Sequence, residues 1–326
     1  MNAIAKGELY TGYETAIATA EACRASTLFH STGERAPLTK TTDVVAVESG
    51  MTACFAALGA TACGMRSAGI AERGLDPAVD EAQRLGLPTV FLRVSSAPMA
   101  MAGLHFFAES HQTLADTMIM AYKIAEDKRV LAPAVISVPS PAMREVVHVP
   151  STQSLDKFLP RLHLAHRLAK EPRYLVPQRT AEDLQNSLNT AAALLPKYSE
   201  AYWQRFRRKV GFFHTTQTED AEHVLVVAGV QTLNSQRALT KLRAEGKKVG
   251  VVSLNTLTPF PERLKETLNG KNVAVIENGT NAAQGVRGLG FSCSHYLTHR
   301  LLNEKDFEDV FRRLISGAKE ERWVSS

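Results

Sequence analysis

The sequence contains none of the short motifs that mark a nucleotide site or a serine hydrolase. It has no G-x-G-x-x-G and no Walker A segment, so neither a dinucleotide site nor an NTP site can be argued from it. No G-x-S-x-G elbow is present either. Gly285–Gly290 (GVRGLG) follows a predicted strand, but its glycine spacing is wrong for a dinucleotide turn. A flexible loop that starts a helix is the better interpretation of that segment.

Cysteine is scarce and scattered. The four cysteines are Cys23, Cys54, Cys63 and Cys293. They form no C-x-x-C pair, no Cys/His group has zinc spacing, and the histidines, His105 among them, are dispersed. Dispersed thiols cannot make a ferredoxin-type cluster motif, so any electrons must pass to another chain. Cys54 and Cys63 lie among Ala and Leu, which predicts small buried side chains in a reducing compartment.

A strong charge of one sign and a long apolar run are also missing. Lys+Arg number 38 and Asp+Glu 33, a net charge of +5. Only Arg205–Lys209 concentrates basic residues, and one such run is more typical of a solvated face than of a nucleic-acid footprint. No apolar run approaches the roughly 20 residues that span a bilayer. The N-terminus lacks the layout of a signal peptide, so we expect a cytoplasmic protein that binds neither nucleic acid nor membrane.

The sequence does have a clear alternation of helix and strand patterns. Thr89–Arg93 and Ala132–Val138 are apolar without alternation, which is typical of parallel strands covered on both faces. Gly50–Cys63 is a predicted helix made almost wholly of small residues and apolar nearly all round, as at a subunit interface. The predicted fold class is α/β, with two doubly wound parallel-sheet domains.

The alternation is interrupted in the middle of the chain. Residues 139–220 carry seven prolines and are predicted to be a long surface connection. Beyond them the predicted strands are His223–Ala228, Lys248–Leu254 and Val273–Glu277. We therefore predict one domain over residues 1–180, a linker over 181–220 and a second domain over 221–326.

Three polar side chains lie beside apolar strands and are candidate site residues. Glu48 ends the VVAVE run, and Arg93 ends TVFLR. Thr32 follows the Thr27–Phe29 segment. Ligands of open parallel sheets bind outside the carboxyl ends of the strands, where all three are expected. The alternative for Glu48 is a carboxylate that only complements the N-terminus of the following helix.

Four segments, in the same order along the chain, carry a recognisable pattern. They are Glu109–Asp127 followed by KRVLAPAVISV, residues 47–64 (VESGMTACFAALGATACG), residues 92–98 (LRVSSAP) and residues 241–261 (KLRAEGKKVGVVSLNTLTPFP). The chain thereby resembles, nearly from end to end, the alpha subunit of pyruvate synthase, of the thiamine diphosphate-dependent 2-oxoacid:ferredoxin oxidoreductase family. The resemblance implies a thiamine-pyrimidine-type domain over residues 1–180 and a transketolase C-terminal-like domain over 221–326.

The resemblance also implies a catalytic set of Glu48, Arg93 and Thr32. Glu48 is the cofactor-binding residue, whose carboxyl group would hydrogen-bond the aminopyrimidine of thiamine diphosphate and favour its imino tautomer. Arg93 would meet the carboxylate of a 2-oxo acid through its guanidinium. Thr32 would donate a hydrogen bond to the same substrate. No metal ligand is expected in this chain.

The implied reaction is the oxidative decarboxylation of a 2-oxo acid, with coenzyme A as acyl acceptor and ferredoxin, an iron-sulfur protein, as electron acceptor. A beta subunit would supply the diphosphate and Mg²⁺ half of the cofactor site. Iron-sulfur, gamma-type or delta-type subunits would carry the [4Fe-4S] clusters. The resemblance therefore implies an oxidoreductase that works as a cytoplasmic hetero-oligomer.

Several segments depart from the family pattern, so this would be a divergent member. FHSTGE (Phe29–Glu34) stands in place of YPITPS, and SAGIAERG (Ser67–Gly74) in place of TATSSQG. The loop after Pro98 is much shorter, and RPFP has become TPFP at Thr258–Pro261. Pyruvate is the default substrate, with oxalate or a bulkier aryl 2-oxo acid as the rival. The alternative function is a non-catalytic degenerate paralogue that acts as a scaffold in a larger redox complex.

Overall fold

The computed structural model describes residues 8–33, 39–94, 103–138, 144–164, 179–229, 231–317 and 321–324. The chain divides into two units, the first ending at Gly211 and the second beginning at Phe212. Each unit has a mostly parallel sheet with helices between its strands, so the predicted α/β class is confirmed. Within the described ranges, no helix has the length and apolar character needed to cross a membrane.

The first unit alternates strands and helices from its beginning. Its strands are β1 (Glu8–Tyr10), β2 (Thr27–His30), β3 (Asp43–Ala46), β4 (Ser67–Ala71), β5 (Val90–Val94), β6 (Leu104–Phe107), β7 (Ala134–Val138) and β8 (Glu145–Val147). Its helices are α1 (Gly12–Ala22), α2 (Gly50–Ala62), α3 (Asp76–Leu85), α4 (His111–Ala125), α5 (Thr152–Leu155) and α6 (Ala181–Phe206). Six strands pair in parallel in the order β6-β7-β5-β4-β2-β3, and β1 pairs antiparallel with β8.

The strand order reverses between β2 and β4. From β2 the chain moves outward to β3, and α2 then returns across β2 to reach β4 on its other side. In open α/β sheets such a reversal leaves a crevice at the carboxyl ends of the strands, where ligands bind. The carboxyl ends of β2, β3 and β4 therefore surround the expected site of this unit.

Helix α2 lies close to the sheet because the residues at its contact with β4 are small. A Cβ atom on Gly69 of β4 would lie 3.2 Å from the Cα atom of Cys54 and 3.4 Å from the Cβ atom of Ala57. At the first residue of α2, a Cβ atom on Gly50 would overlap the carbonyl oxygen of Arg73. Gly50 leaves no room for a larger residue, and at Gly69 even an alanine would require the helix and the strand to move apart by a few tenths of an ångström.

The other side of α2 is exposed, so the helix is not covered all round by its own chain. Met51 and Phe55 are 52% and 41% exposed, and Gly59 and Cys63 follow on the same side. We call these four residues the outer face of α2. The prediction that Cys63 is buried is wrong, whereas Cys54 is buried as predicted.

The segment Glu109–Asp127, which carries much of the family resemblance, forms α4 and its flanking residues. Asp116 of this helix accepts a hydrogen bond from the Tyr202 hydroxyl at 2.6 Å. Both oxygens of Asp116 also lie 2.9 Å from Nε of Arg208. Burial raises the pKa of Asp116, while the hydrogen bonds from Arg208 act in the opposite direction. These contacts hold α6 against α4.

A second buried ion pair lies at the C-terminal end of α4. Nε of Arg66 is 2.6 Å from Oε1 of Glu126, and the two side chains are 3% and 8% exposed. The same guanidinium donates to the Pro160 carbonyl at 2.6 Å and lies 5.6 Å from the centre of the Tyr122 ring. Substitution of either residue would leave the other charge buried without a partner, so we expect it to destabilise the first unit.

The structure differs from the sequence-based domain plan between residues 181 and 211. Residues 181–206, which that plan places in a linker, form α6 and belong to the first unit. Thr180 and Asp183 make a capping box at the start of this helix. The buried pair between Arg208 and Asp116 explains why the segment packs on α4 instead of running free.

The second unit is also an open, mostly parallel sheet. Its strands are β9 (Phe213–Thr216), β10 (His223–Ala228), β11 (Val249–Leu254), β12 (Thr256–Thr258), β13 (Asn272–Glu277), β14 (Cys293–Leu297) and β15 (Glu321–Trp323). Its helices are α7 (Gln231–Ala244), α8 (Leu264–Leu268), α9 (Ala282–Gly288) and α10 (Glu304–Ile315). Six strands lie in the order β15-β14-β13-β10-β11-β9, and β9 is antiparallel to β11.

Gly285 is a helical residue of α9, so the prediction of a loop there is wrong at this position. A Cβ atom on Gly285 would overlap the ring of Phe260, because that ring lies directly on the helix. The TPFP segment and the glycine-rich segment therefore meet each other in the fold of the second unit.

The contact between Gly50 and Arg73 generates a first prediction. Gly50→Ala should lower the free energy of unfolding by about 1–3 kcal/mol, because overpacking against a backbone carbonyl cannot relax cheaply. Gly59→Ala is the matched control in the same helix: its Cβ atom meets open space, and alanine should gain up to about 1 kcal/mol. Urea unfolding would be followed by Trp203 fluorescence in a Trp323→Phe background. Equal midpoints for the two variants would contradict the packing argument.

Asp127 generates a prediction of pH dependence. Hydrogen bonds from the Arg129 side chain hold the pKa of Asp127 well below its usual range, and the Tyr198 hydroxyl also donates to this carboxylate. A lowered pKa means that the stabilisation is present above about pH 4 and is lost as the pH falls below it.

Asp127→Asn should therefore lower the free energy of unfolding at pH 7 by about 1.5–3 kcal/mol. The difference from the unmutated chain should shrink as the pH falls from 5 to about 2 in a series of thermal melts. Asp80→Asn, which removes an exposed carboxylate on α3, is the control. A difference that stays constant over this pH range would be evidence against the proposed cause.

Candidate functional site

The three candidate residues lie at the carboxyl edge of the sheet in the first unit. Thr32 and Glu48 each lie two residues beyond the ends of the neighbouring strands β2 and β3. Arg93 is in β5, opposite Ala71 of β4 on one side and Ser137 of β7 on the other. Because β4 separates β2 from β5, about two strand spacings, or 10 Å, lie between the strand ends of Thr32 and Arg93.

Glu48 is an exposed carboxylate beside the N-terminus of α2. The cap of that helix is Ser49, whose Oγ accepts a hydrogen bond from the Thr52 N–H at 3.1 Å. Glu48 makes no hydrogen bond or ion pair with any residue in the described ranges. Helix capping is therefore done by its neighbour, and the Glu48 carboxylate is available to bind a group from outside the chain.

Arg93 is only 8% exposed, near the end of β5. Its side chain is on the same face of the sheet as that of Phe91, two residues earlier, because side chains alternate along a strand. Phe91 packs in a buried cluster with Cys54 of α2 and Val79 of α3. The guanidinium thus belongs to the face that α2 and α3 cover, where a charge is poorly solvated and binds an anion strongly.

Thr32 is half-buried and has a neighbour that the sequence analysis did not consider. Its Oγ1 atom lies 3.2 Å from Nδ1 of His30, the last residue of β2. His30 is buried, and its ring centre lies 4.9 Å from that of Tyr13. The imidazole can therefore orient the Thr32 hydroxyl. The sequence feature that could have indicated this contact is the polar residue His30 at the end of the apolar segment of β2.

His105 and Ser137 are two further buried polar residues near Arg93 that the sequence analysis did not connect with it. Nε2 of His105 lies 2.9 Å from Oγ of Ser137. Burial lowers the pKa of His105 to about 3, and the charge of Arg93 adds to the effect. The imidazole is therefore neutral at physiological pH.

The described ranges contain no cluster that could bind a metal ion, and two of their cysteines have raised thiol pKa values. These residues hold no group of three or more His, Cys, Asp or Glu side chains that could bind a metal ion. Burial raises the pKa values of the Cys23 and Cys54 thiols to about 12, so both stay protonated. Residues 95–98 of the LRVSSAP segment, and Glu34 of FHSTGE, lie outside the described residues.

A separate polar cluster closes the carboxyl end of β13 in the second unit. Oε1 of Glu277 lies 2.7 Å from Nε2 of His295 in β14, and its Oε2 accepts the Ala283 N–H at 2.9 Å. Both side chains are buried. Glu277 thus joins the neighbouring strand to the start of α9, which is a structural role.

Comparison with known proteins identifies the relationship. Residues 221–292 match the family model for pyruvate:ferredoxin oxidoreductase core domain II. The chain is 27% identical over 301 residues to the pyruvate synthase subunit PorA of Pyrococcus furiosus, covering 81% of this chain and 74% of that protein. The PorA of Methanothermobacter thermautotrophicus is 24% identical over 197 residues, 56% of this chain and 51% of that protein. This chain is a divergent, alpha-subunit-like relative of the 2-oxoacid:ferredoxin oxidoreductases.

Another relative has a different named activity. The alpha subunit of the NADH-dependent phenylglyoxylate dehydrogenase of Aromatoleum evansii is 24% identical over 189 residues, 51% of this chain and 45% of that protein. Across these three relatives, the chain spans between about half and three quarters of the length of the protein it matches.

Solved structures agree on the fold. A 2-oxoglutarate:ferredoxin oxidoreductase from Magnetococcus marinus superposes with a TM-score of 0.66 at 12% identity, over 95% of this chain and 65% of that chain. A transketolase from Campylobacter jejuni gives a TM-score of 0.51 at 12% identity, over 95% of this chain and 45% of that chain. The fold of this chain is therefore the one seen in these two enzymes.

The assignment of the helix cap generates a third prediction. Ser49→Ala should lower the free energy of unfolding of the isolated chain by about 1 kcal/mol, since it removes the hydrogen bond to the N-terminus of α2. Glu48→Gln should lower it by less than about 1 kcal/mol, because only a charge near the helix N-terminus is lost. Thermal melts of both variants would test this. If Glu48→Gln lowered the free energy of unfolding more than Ser49→Ala does, Glu48 and not Ser49 would be the main residue that stabilises the N-terminus of α2.

Proposed function

We propose that this chain is the alpha subunit of a thiamine diphosphate-dependent 2-oxoacid:ferredoxin oxidoreductase. The observation that carries the proposal is Glu48, an exposed carboxylate with no partner in the described residues, at the edge where the strand order reverses. This carboxylate is neither the helix cap nor part of an ion pair with a described residue, so its structural contribution is limited to its charge near the N-terminus of α2. Its position matches the glutamate that the family resemblance assigns to the cofactor.

The residues around Glu48 fit the pyrimidine half of thiamine diphosphate. A carboxyl oxygen is available for a ring nitrogen, and the apolar side chains of Met51 and Phe55 are exposed within the next two turns. The cofactor, when bound, supplies the nucleophilic carbon and the electron sink for decarboxylation. Glu48 would hold a proton at the aminopyrimidine ring and thereby favour the tautomer that can accept a proton.

Arg93 and Thr32 would bind and orient the substrate. The guanidinium of Arg93 is nearly buried, so its attraction for the carboxylate of a 2-oxo acid is weakly screened. The Thr32 hydroxyl, oriented by His30, would donate a second hydrogen bond. Pyruvate is the default substrate. Oxalate or an aryl 2-oxo acid is the rival, and the phenylglyoxylate dehydrogenase relative supports testing the aryl class.

The exposed outer face of α2 supports assembly with other subunits. Two large apolar side chains, Met51 and Phe55, face solvent along one side of a helix whose other side is fully packed. A beta subunit would cover this face and bring the diphosphate and Mg²⁺ half of the cofactor site. The described residues contain no set of cysteines for an iron-sulfur cluster, so partner chains would hold the [4Fe-4S] clusters.

Coenzyme A and ferredoxin complete the proposed reaction, which takes place in the cytoplasm. Coenzyme A accepts the acyl group, and ferredoxin accepts the electrons. The solved Magnetococcus enzyme holds 2-oxoglutarate, coenzyme A and succinyl-CoA, which supports testing coenzyme A as the acceptor here.

The test is Glu48→Gln in the complex purified with its partner subunits. Turnover of 2-oxo acids, measured by reduction of a viologen dye, should fall roughly 10²–10⁴-fold because an amide cannot supply the carboxyl proton. The melting temperature of the complex should change only slightly, because only the charge near the N-terminus of α2 is lost. Glu182→Gln is the matched control, since Glu182 is another exposed glutamate in the first turn of a helix, α6, and is not part of the candidate site.

Unchanged turnover in Glu48→Gln would remove Glu48 from the mechanism. An unmutated complex that contains no thiamine diphosphate and reduces no dye with any 2-oxo acid would favour the alternative function, a scaffold in a larger redox complex.

A further inference from the structure

A short strand, β15, forms one edge of the six-stranded sheet in the second unit. All of its residues are exposed, and it pairs in parallel with β14. The register places Glu321 opposite His295 and Trp323 opposite Leu297. The Val324 N–H then donates to the Leu297 carbonyl at 2.8 Å. An exposed edge segment of this kind opens at a low free energy unless side chains also hold it to its neighbour.

The side chains that join β15 to β14 are Glu321 and His295. Oε1 of Glu321 lies 3.5 Å from Nδ1 of His295, and Nε2 of His295 lies 2.7 Å from Oε1 of Glu277 in β13. His295 therefore lies between two carboxylates, of which Glu277 is 6% exposed and Glu321 is 63% exposed. Nδ1 of His295 is buried and makes no hydrogen bond with any described residue.

The charge of His295 decides what its Nδ1 atom presents to Glu321. Nε2 carries a proton, because the Glu277 carboxylate accepts hydrogen bonds and takes the Ala283 N–H with its other oxygen. In the neutral imidazole, Nδ1 then has a lone pair, which repels the Glu321 carboxylate. In the charged imidazole, Nδ1 has a proton as well, which attracts the same carboxylate.

The other ionisable groups around this contact keep their charge near neutral pH. Arg287 of α9 lies 3.7 Å from Oε2 of Glu321, and a guanidinium stays protonated. Cys293 of β14 is hydrogen-bonded to Arg287, and burial raises the pKa of its thiol, so it stays neutral. Histidine is the residue type whose charge changes between about pH 5 and pH 8. His295 is therefore the group that makes this contact depend on pH.

We propose that His295 and Glu321 form a pH-sensitive latch, which holds β15 on the sheet when the imidazole is charged and releases it when the imidazole is neutral. A contact made by the protonated form is present at low pH and is lost as the pH rises. Because Glu321 is largely exposed, solvent screens the contact, and the equilibrium between docked and released strand should change roughly two- to fivefold. Neither residue belongs to the candidate site of the first unit, so the latch does not rest on the proposed function.

Trp323 provides a direct probe of this equilibrium, because it lies on β15 two residues after Glu321. The full chain would carry Trp203→Phe, which leaves Trp323 as its one tryptophan. It would also carry His299→Asn, since the His299 ring centre lies 6.0 Å from that of Trp323 and its own titration would alter the emission. From about pH 5.5 to about pH 8.5, the fluorescence anisotropy of Trp323 should fall and its quenching by acrylamide should increase.

Three substitutions at exposed side chains assign this pH dependence to the latch. Glu321→Gln should keep β15 docked over the whole range, because its amide can donate to neutral Nδ1 of His295 and can accept from the charged ring. Glu321→Ala should leave Trp323 mobile over the whole range. Arg287→Gln is the matched control: it removes the other charged contact of Glu321 and should preserve the pH dependence.

Several outcomes would overturn the latch. They are a Trp323 signal that does not change with pH, an unaltered pH dependence in Glu321→Gln, and a change that coincides with unfolding of the whole chain in far-ultraviolet circular dichroism. Nitrogen-15 NMR of the histidine-labelled chain adds an independent measurement. Both ring nitrogens of His295 should be protonated at the acidic end of the range and Nε2 alone at the basic end. A neutral ring with its proton on Nδ1 would contradict the proposal.

Discussion

The close approach of α2 to β4 is the constraint on which the carboxyl edge of the first unit depends. Because Gly69 has no side chain and the helix contributes Cys54 and Ala57 there, α2 can lie directly on the sheet as it returns from β3. Gly50 lets the first turn pass beneath the Arg73 carbonyl. This geometry brings the N-terminus of the helix to the edge where the strand order reverses. Glu48 stands at that edge as a consequence, and the outer face of α2 is turned away from the sheet.

The segment most recognisable as belonging to the family is a stabilising element of the fold rather than part of the candidate site. In α4, Asp116 holds α6, and Glu126 pairs with Arg66 in a buried contact. The residues proposed to act chemically come instead from short stretches after strands. A relative can therefore keep its architecture through α4 while the loops that surround a substrate are replaced, which matches the departures in this sequence.

Strands and helices could be predicted from the sequence where the residues of the segment themselves favour that secondary structure. They could not be predicted where contacts with distant parts of the chain determine the secondary structure. β5 and β7 are rich in branched and aromatic residues and were predicted. β4 (Ser67–Ala71) was not, because a run of small residues has little β-propensity, and its strand state comes from pairing with β2 and β5. Helix α6 contains Pro196, and the prolines around it predict an irregular connection there instead of a helix. The hydrogen bond between His105 and Ser137 could not be predicted from the sequence, because the order of the strands along the chain does not reveal that β7 lies between β5 and β6 in the sheet.

The outer face of α2 also bears on how such a protein is made. In the proposed assembly, a chain synthesised faster than its partner subunits would have Met51 and Phe55 uncovered, on a helix whose other side is packed against the sheet. Unmatched copies would then associate with one another or become substrates for proteolysis and chaperones. The proposed assembly would therefore favour balanced synthesis of the subunits and rapid removal of copies that have no partner, because one helix of this chain is covered on only one side.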